Sequence, residues 1–124
     1  MKIKLKKPII VDVRITGKRR RWAKLLLDTG ATTTILSWDI LKDIGYDPAI
    51  SNRRKDVTTA NGVIEAPLVK VNEMSIGHFR VKNTDVICHD IPELIRVDGL
   101  LGLDFIENFR VCIDYRKGIL EIGY

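Results

Sequence analysis

The sequence predicts an all-β domain with one or two short helices, and three observations support that fold class. Apolar β-branched residues alternate with other residues over 11–15, which is the period of a β-strand. Residues 25–27 form a short apolar run that suits a strand buried on both faces. Asn61-Gly62 separates two further β-rich runs, and this dipeptide favours a hairpin turn because both residues tolerate positive φ.

The remaining strands follow from runs of β-branched and aromatic residues that end at turn residues. Gly17 and the basic run 18–21 are predicted to form the first turn, and Gly77 and Lys117-Gly118 mark two later ones. In chain order the predicted strands are 9–15, 22–27, 32–36, 56–59, 63–71, 74–87 with an internal turn, 111–115 and 119–122.

Two short helices are predicted between these strands. Ser37 is a favourable helix N-cap, and residues 38–44 provide two helical turns before Gly45 ends them. Residues 103–108 form the second predicted helix.

The composition fits a single globular domain spanning residues 1–124. Hydrophobic residues make up 45% and charged residues 30%, which supplies a core and excludes a disordered chain. No apolar run reaches the roughly 18 residues of a membrane-spanning helix, and the alternating N-terminus does not resemble a signal peptide. Because two cysteines give no disulfide framework, we expect a cytoplasmic protein.

The formal net charge is +5, and part of it lies in basic clusters at residues 6–7 and 18–21. Such clusters attract nucleic acid or acidic peptides. No aromatic residues interleave with them as in a base-stacking surface, and Trp22 alone is equally consistent with packing. A solvated turn is the simpler interpretation, so nucleic acid is not an expected partner. A nucleic-acid-binding β-domain remains one alternative function.

Asp28 follows the apolar run 25–27, where an acid is unusual because burying a charge is costly unless it is paired or used. Thr29 places a hydroxyl beside this carboxylate, and Gly30 allows the backbone to turn sharply. Taken alone, these three residues also fit a strand-end turn in which the carboxylate binds nearby amides.

Three segments, in this order, resemble the retropepsin-like aspartic proteases of retroviruses, retrotransposons and related cellular proteins. Residues 26–32, Leu-Leu-Asp-Thr-Gly-Ala-Thr, resemble the first signature of the family. Residues 97–106, which contain Leu-Leu-Gly before the second predicted helix, resemble the second signature. Thr59-Ala60-Asn61-Gly62 lies between them, where the family has its flap hairpin.

The resemblance implies a closed β-barrel with the acid-protease fold and an aspartic endopeptidase that uses no metal and no cofactor. Asp28, Thr29 and Gly30 would form the catalytic loop. The family places no catalytic acid in its second signature, so Asp98 is not the partner. The second carboxylate would come from Asp28 of a second copy, and one chain would be half of a two-fold homodimer.

The resemblance also implies roles at the edge of the site. Thr29 would bond across the dimer interface, and Gly30 would leave room for a peptide or protein substrate. The flap residues Ala60, Asn61 and Gly62 would close over that substrate and bind it.

Two further segments of the chain have implied structural roles, and one residue departs from the family pattern. Residues 100–102 would pack behind the active-site loop. Strands 3–5 or 119–122 are candidates for pairing between subunits, because exposed strand edges favour such pairing. Thr32 stands where retroviral members often have Asp, which makes any transfer of specificity unsafe.

Other chemistry is weakly supported by the sequence. The set His78, Cys88, His89 and Cys112 matches no zinc-binding spacing. No Gly-x-Ser-x-Gly elbow is present for a serine hydrolase. Asp104 and Glu107 are interpreted as favouring the dipole of the second helix. The main alternative to an enzyme is a catalytically silent retropepsin-like module used for dimerisation or peptide binding.

Overall fold

The computed structural model describes residues 1–124 and contains ten strands and two short α-helices. The strands are β1 (Lys2–Lys4), β2 (Ile10–Thr16), β3 (Arg20–Leu27), β4 (Ile35–Leu36), β5 (Arg54–Thr59), β6 (Gly62–Ile76), β7 (Phe79–Cys88), β8 (Gly99–Leu101), β9 (Arg110–Asp114) and β10 (Ile119–Gly123). The helices are α1 (Trp38–Asp43) and α2 (Leu103–Ile106), and short 3-10 turns occur at Pro48–Ile50 and Glu93–Ile95. The predicted all-β fold with two short helices is confirmed.

Six of the strands close into a barrel. Their order is β2-β3-β8-β4-β7-β6, and β6 pairs back onto β2 to complete the ring. Strand β5 lies outside the ring and pairs only with β6. Strands β1, β10 and β9 form a separate three-stranded sheet. The closed barrel implied by the family resemblance is therefore confirmed.

The barrel interior is filled by the apolar half of each alternating strand. In β2, Val11, Val13 and Ile15 are at most 2% exposed, while the residues between them point outward. Full burial of such a side chain contributes about 1.5–3 kcal/mol. Leu41 of α1 and Phe105 of α2 close the core from outside the sheet.

The predicted strand bounds differ most from the structure at three places. Arg20 and Arg21 belong to β3 rather than to a turn, because the β2–β3 pairing continues to Thr16 and Arg20. Residues 32–34 precede β4 instead of belonging to it. Residues 63–76 belong to one continuous strand, β6, rather than to two.

The first helix follows the predicted capping. The Ile40 amide donates to Ser37 Oγ at 3.3 Å, and Gly45 has a φ of 103° just beyond the helix. The second helix is shorter than predicted and ends at Ile106. Asn108 Nδ2 donates to the carbonyl oxygens of Asp104 and Phe105, at 2.7 and 3.2 Å, and so satisfies groups that a longer helix would have bonded.

The hairpin between β5 and β6 turns one residue earlier than Asn61-Gly62 suggests. Thr59 pairs with Gly62, so the two turn residues are Ala60 and Asn61. Only Gly62 has positive φ, at 119°, and it begins the returning strand. The hairpin is confirmed, and of the two residues that tolerate positive φ only Gly62 adopts it.

The two terminal segments predicted to pair between subunits pair with each other inside one chain. β10 has β1 on one edge and β9 on the other, so residues 119–122 have no free edge. The outer edge of β1 is unpaired in the sheet. No helix of the structure is long and apolar enough to span a bilayer.

Candidate active site

Asp28 lies immediately beyond the end of β3. The Asp28 amide donates to the carbonyl oxygen of Leu101 at 3.0 Å, which continues the parallel pairing of β3 with β8 past Leu27. The Gly30 amide donates to Asp28 Oδ1 at 2.9 Å, and the Ala31 amide donates to the Asp28 carbonyl oxygen at 3.2 Å. These bonds fix the direction of a half-buried carboxylate at the end of a rigid strand.

Asp28 opens onto a cleft of about 410 Å³ between the active-site loop and β5. Three charged side chains face this cleft, namely Asp28, Lys55 and Asp56. Lys55 Nζ donates to Thr33 Oγ1 at 2.9 Å and so connects β5 to the loop that follows Asp28. The other lining residues are Gly30, Ala31, Thr32, Thr33, Ile35, Val57, Thr58, Ile87 and Leu100.

The active-site loop is held from behind by Thr34 and Asp104. Thr34 is completely buried, its amide donates to Asp104 Oδ2 at 2.9 Å, and its hydroxyl donates to Asp104 Oδ1 at 2.6 Å. The Gly102 amide donates to Thr34 Oγ1 at 3.1 Å. Asp104 therefore does more than favour a helix dipole, as the sequence suggested, because it satisfies two polar groups of the loop.

Gly102 lies where the second signature meets the loop after Asp28. A Cβ at this position would lie 2.7 Å from the Ala31 carbonyl oxygen and 3.0 Å from the Thr34 amide nitrogen. Any larger residue would displace backbone there. Residues 100–102 thus pack behind the active-site loop.

The flap tip and Thr29 do not line the cleft in this chain. Ala60, Asn61 and Gly62 are exposed, and the wall above Asp28 is formed by residues 55–58 of β5. Thr29 is exposed and its hydroxyl forms no hydrogen bond within the chain. The roles of these residues remain predictions that concern a substrate or a second subunit.

The base of the β5–β6 hairpin is tied to the barrel by an ion pair. Arg53 donates to both carboxylate oxygens of Asp85 in β7, at 2.9 and 2.8 Å. This hydrogen bonding, with the charge of the guanidinium, lowers the pKa of the Asp85 carboxyl below its usual value. The hairpin is therefore fixed at its base, whereas its tip has no such contact.

Asp98 and the candidate metal ligands lie outside the cleft. Asp98 Oδ2 accepts from the Lys24 amide at 2.8 Å, so Asp98 connects β3 to the segment before β8. Burial raises the pKa of the Cys88 thiol to about 12, while Cys112 is exposed in β9. No three His, Cys, Asp or Glu side chains are grouped closely enough to hold a metal ion.

The retropepsin-like class of aspartic proteases is defined by a six-stranded barrel that carries an Asp-Thr-Gly loop. A hairpin lies beside this loop, and a glycine-containing segment packs behind it. The aspartyl protease family model matches residues 11–105. The chain belongs to this family, as a retropepsin-like member.

Solved structures and a curated relative agree with this assignment. A retropepsin-like aspartic protease from Rickettsia conorii superposes with a TM-score of 0.77 at 23% identity, covering 100% of this chain and 89% of that one. The EIAV protease in complex with the inhibitor HBY-793 gives a TM-score of 0.62 at 23% identity, over 86% and 91% of the two chains. At these identities the likeness concerns the fold. DNA damage-inducible protein 1 of Neurospora crassa is 30% identical over 115 residues, which cover 92% of this chain and 25% of that protein.

The chain spans about a quarter of the length of the first curated relatives it matches. The retropepsin-like domain is therefore the region that they share with it.

Proposed function

We propose that this chain is an aspartic endopeptidase that acts as a homodimer on peptide or protein substrates. The observation that carries the proposal is the single Asp28 carboxylate, fixed by the Gly30 amide and directed into a cleft beside a hairpin. Membership of the aspartyl protease family supports the same reaction. One carboxylate is half of the chemistry that peptide hydrolysis needs, so a second copy supplies the other.

The proposed mechanism uses two Asp28 carboxylates that share one proton. Like charges about 3 Å apart do not both ionise readily, so the pair titrates in two separated steps. The ionised Asp28 takes a proton from water, which then attacks the scissile carbonyl carbon. The protonated Asp28 donates to the carbonyl oxygen at the same time. Activity is highest at mildly acidic pH, where the pair holds one proton, and falls on either side.

The dimer is proposed to be isologous, which brings identical loops together on the two-fold axis. Thr29, exposed and free of hydrogen bonds within the chain, bonds the partner loop in this arrangement. An extended peptide lies against residues 55–58 of β5, and Ala60, Asn61 and Gly62 close over it. Two free thiols, Cys88 and Cys112, are compatible with a reducing compartment, and the cytoplasm is the proposed location.

Asp28→Asn tests the chemistry, and Asp39→Asn is its matched control because Asp39 is an exposed carboxylate of α1 outside the cleft. The assay is cleavage of an unstructured protein across pH, with a pepstatin-like inhibitor. We expect the cleavage rate of Asp28→Asn to fall by on the order of several powers of ten, because the substitution replaces both carboxylates of the dyad together. Asp39→Asn is expected to stay within about tenfold of the native rate.

Equal cleavage by Asp28→Asn and the native protein would assign the activity to another site or to a contaminant. A confirmed dimer that cleaves nothing in broad peptide libraries would favour the catalytically silent dimerisation or peptide-binding module instead.

A further inference from the structure

The outward face of the barrel between β3 and β7 carries an exposed tryptophan among basic side chains. Two rows of cross-strand neighbours run over this face from β3 through β2 and β6 to β7, and paired residues point to the same side. The first row consists of Trp22, Arg14, Ser75 and Arg80, and the second of Arg20, Thr16, Glu73 and Lys82. We call the two rows together the basic face.

Several of these cations have no acidic partner. Arg80 lies 3.7 Å from Glu73, which is the only carboxylate in the two rows. Arg14, Arg20 and Lys82 form no ion pair with any Asp or Glu of the chain. Uncompensated charge of one sign on a single face attracts a polyanion and accelerates its association.

Trp22 gives this charge a stacking surface. Its side chain is 56% exposed, and the Arg14 guanidinium carbon lies 5.2 Å from the ring centroid. A hollow of about 160 Å³ on one side of the indole is lined by Arg14, Arg20, Arg21 and Trp22 alone. A larger hollow of about 520 Å³ also borders Trp22, and its other lining residues are Arg21, Ala23, Lys24 and the two carboxylates Asp12 and Asp98. An aromatic plane thus adjoins a small hollow whose other walls are arginines.

We propose that the basic face binds single-stranded nucleic acid, with a base stacked on Trp22 and the adjoining phosphate in the small hollow beside it, held by Arg14 and Arg20, because Arg21, which also lines the hollow, is ion-paired with Asp43. Base–aromatic stacking beside a cationic groove is the general mode of single-strand recognition. A run of acidic residues would satisfy the arginines but would offer no aromatic plane to the indole. A duplex keeps the faces of its bases stacked inside and exposes only base edges, sugars and phosphates.

This surface is independent of the proposed peptidase. None of the residues in the two rows lines the cleft that contains Asp28. The proposal therefore stands or falls without reference to proteolysis.

The test is fluorescence anisotropy of a labelled thymidine oligonucleotide of about 15 nucleotides, titrated with the full chain at about 50 mM salt and above. Trp22→Ala is expected to weaken binding about tenfold, and Trp22→Phe to restore most of it. Arg14→Gln/Arg20→Gln is expected to weaken binding about tenfold or more and to reduce the slope of log K against log salt by about 0.7, the contribution of the one phosphate that these arginines contact on a single strand. The matched control is Arg96→Gln/Arg116→Gln, which removes the same charge from exposed positions outside the basic face.

Circular dichroism of each variant verifies that the barrel is folded. Absence of binding by the native chain at low salt overturns the proposal. Equal weakening by the two double variants also overturns it, because binding would then follow net charge alone. If polyglutamate displaces the oligonucleotide and is itself as sensitive to Trp22→Ala, the partner is an acidic polypeptide rather than nucleic acid.

Discussion

At the scale of single residues, Thr34 holds the loop that follows Asp28 in place without itself lining the cleft. Its hydroxyl donates to Asp104 and accepts from the Gly102 amide, so one side chain joins the segment that follows the first signature to the second signature. A buried polar group that loses its partner costs more free energy than the hydrogen bond contributes when formed.

Thr34→Val is expected to lower the free energy of unfolding by about 2–3 kcal/mol, because at nearly constant volume it leaves the Gly102 amide without its acceptor and removes the hydroxyl that donates to Asp104 Oδ1. Urea denaturation at fixed protein concentration measures the change. Thr32→Val is the matched control, since Thr32 is exposed and its hydroxyl forms no hydrogen bond, and its effect should stay within about 0.5 kcal/mol. Equal effects of the two substitutions would contradict the role of Thr34.

The same residue illustrates how far sequence reasoning extends. Asp28-Thr29-Gly30 was recognised because its three residues are adjacent, and the fold class followed from local alternation. Thr34 and Asp104 are 70 residues apart and meet because Thr34 directly precedes β4, which pairs with β8 just before Asp104. No local sequence pattern identifies Asp104 as the hydrogen-bond partner of Thr34. The three threonines after Ala31 indicate only that hydroxyl groups are used in this segment.

At the scale of elements, the β5–β6 hairpin changes its environment along its length. Strand β6 pairs with β5 from Gly62 to Pro67 and with β7 from Leu68 onward. Pro67 has no amide hydrogen to donate, and it lies where the pairing of β6 changes from β5 to β7. The tip is held mainly by its own bonds, such as Thr59 Oγ1 to the Gly62 carbonyl oxygen at 2.9 Å.

Amide exchange at Asn61 and Gly62 is expected to slow when a pepstatin-like inhibitor fills the cleft, because the flap then closes over it. Mass spectrometry or NMR of the exchanging amides measures the change. Residues 73–75 serve as the internal control, since β6 is paired there on both edges and is already protected. Unchanged exchange at the tip with a saturated cleft would mean that the hairpin is not a lid.

At the scale of the whole molecule, the missing carboxylate makes assembly a requirement of the proposed function. Sedimentation equilibrium is expected to show a mass approaching twice 14.1 kDa as concentration rises. Each subunit carries +5, so association should tighten as salt screens their repulsion. Asp28→Asn should dimerise at least as tightly as the native chain, because two adjacent acids no longer repel.

A strict monomer at every accessible concentration and salt would remove the proposed active site. Weakened association of Asp28→Asn would mean that the two carboxylates do not meet at the dimer axis.

Barrel closure could not be predicted from the local sequence of each strand. The rows that join Trp22 to Arg80 depend on β2 pairing with both β3 and β6, and Arg14 and Ser75 meet across 61 positions of chain. Each strand was predicted from its own residues, but the register across a closed ring depends on all of them together. For this reason Trp22 looked like an isolated residue beside a basic turn.

The partner change at Pro67 has a mechanical consequence. The ring of six strands is complete without β5, so the hairpin projects from a closed barrel and is attached to it at one end only. A bend at Pro67 would move the tip of the hairpin and would leave every strand pairing of the barrel intact. The free energy needed to open the cleft would then be separate from the free energy of unfolding. A mobile hairpin is therefore compatible with a rigid barrel.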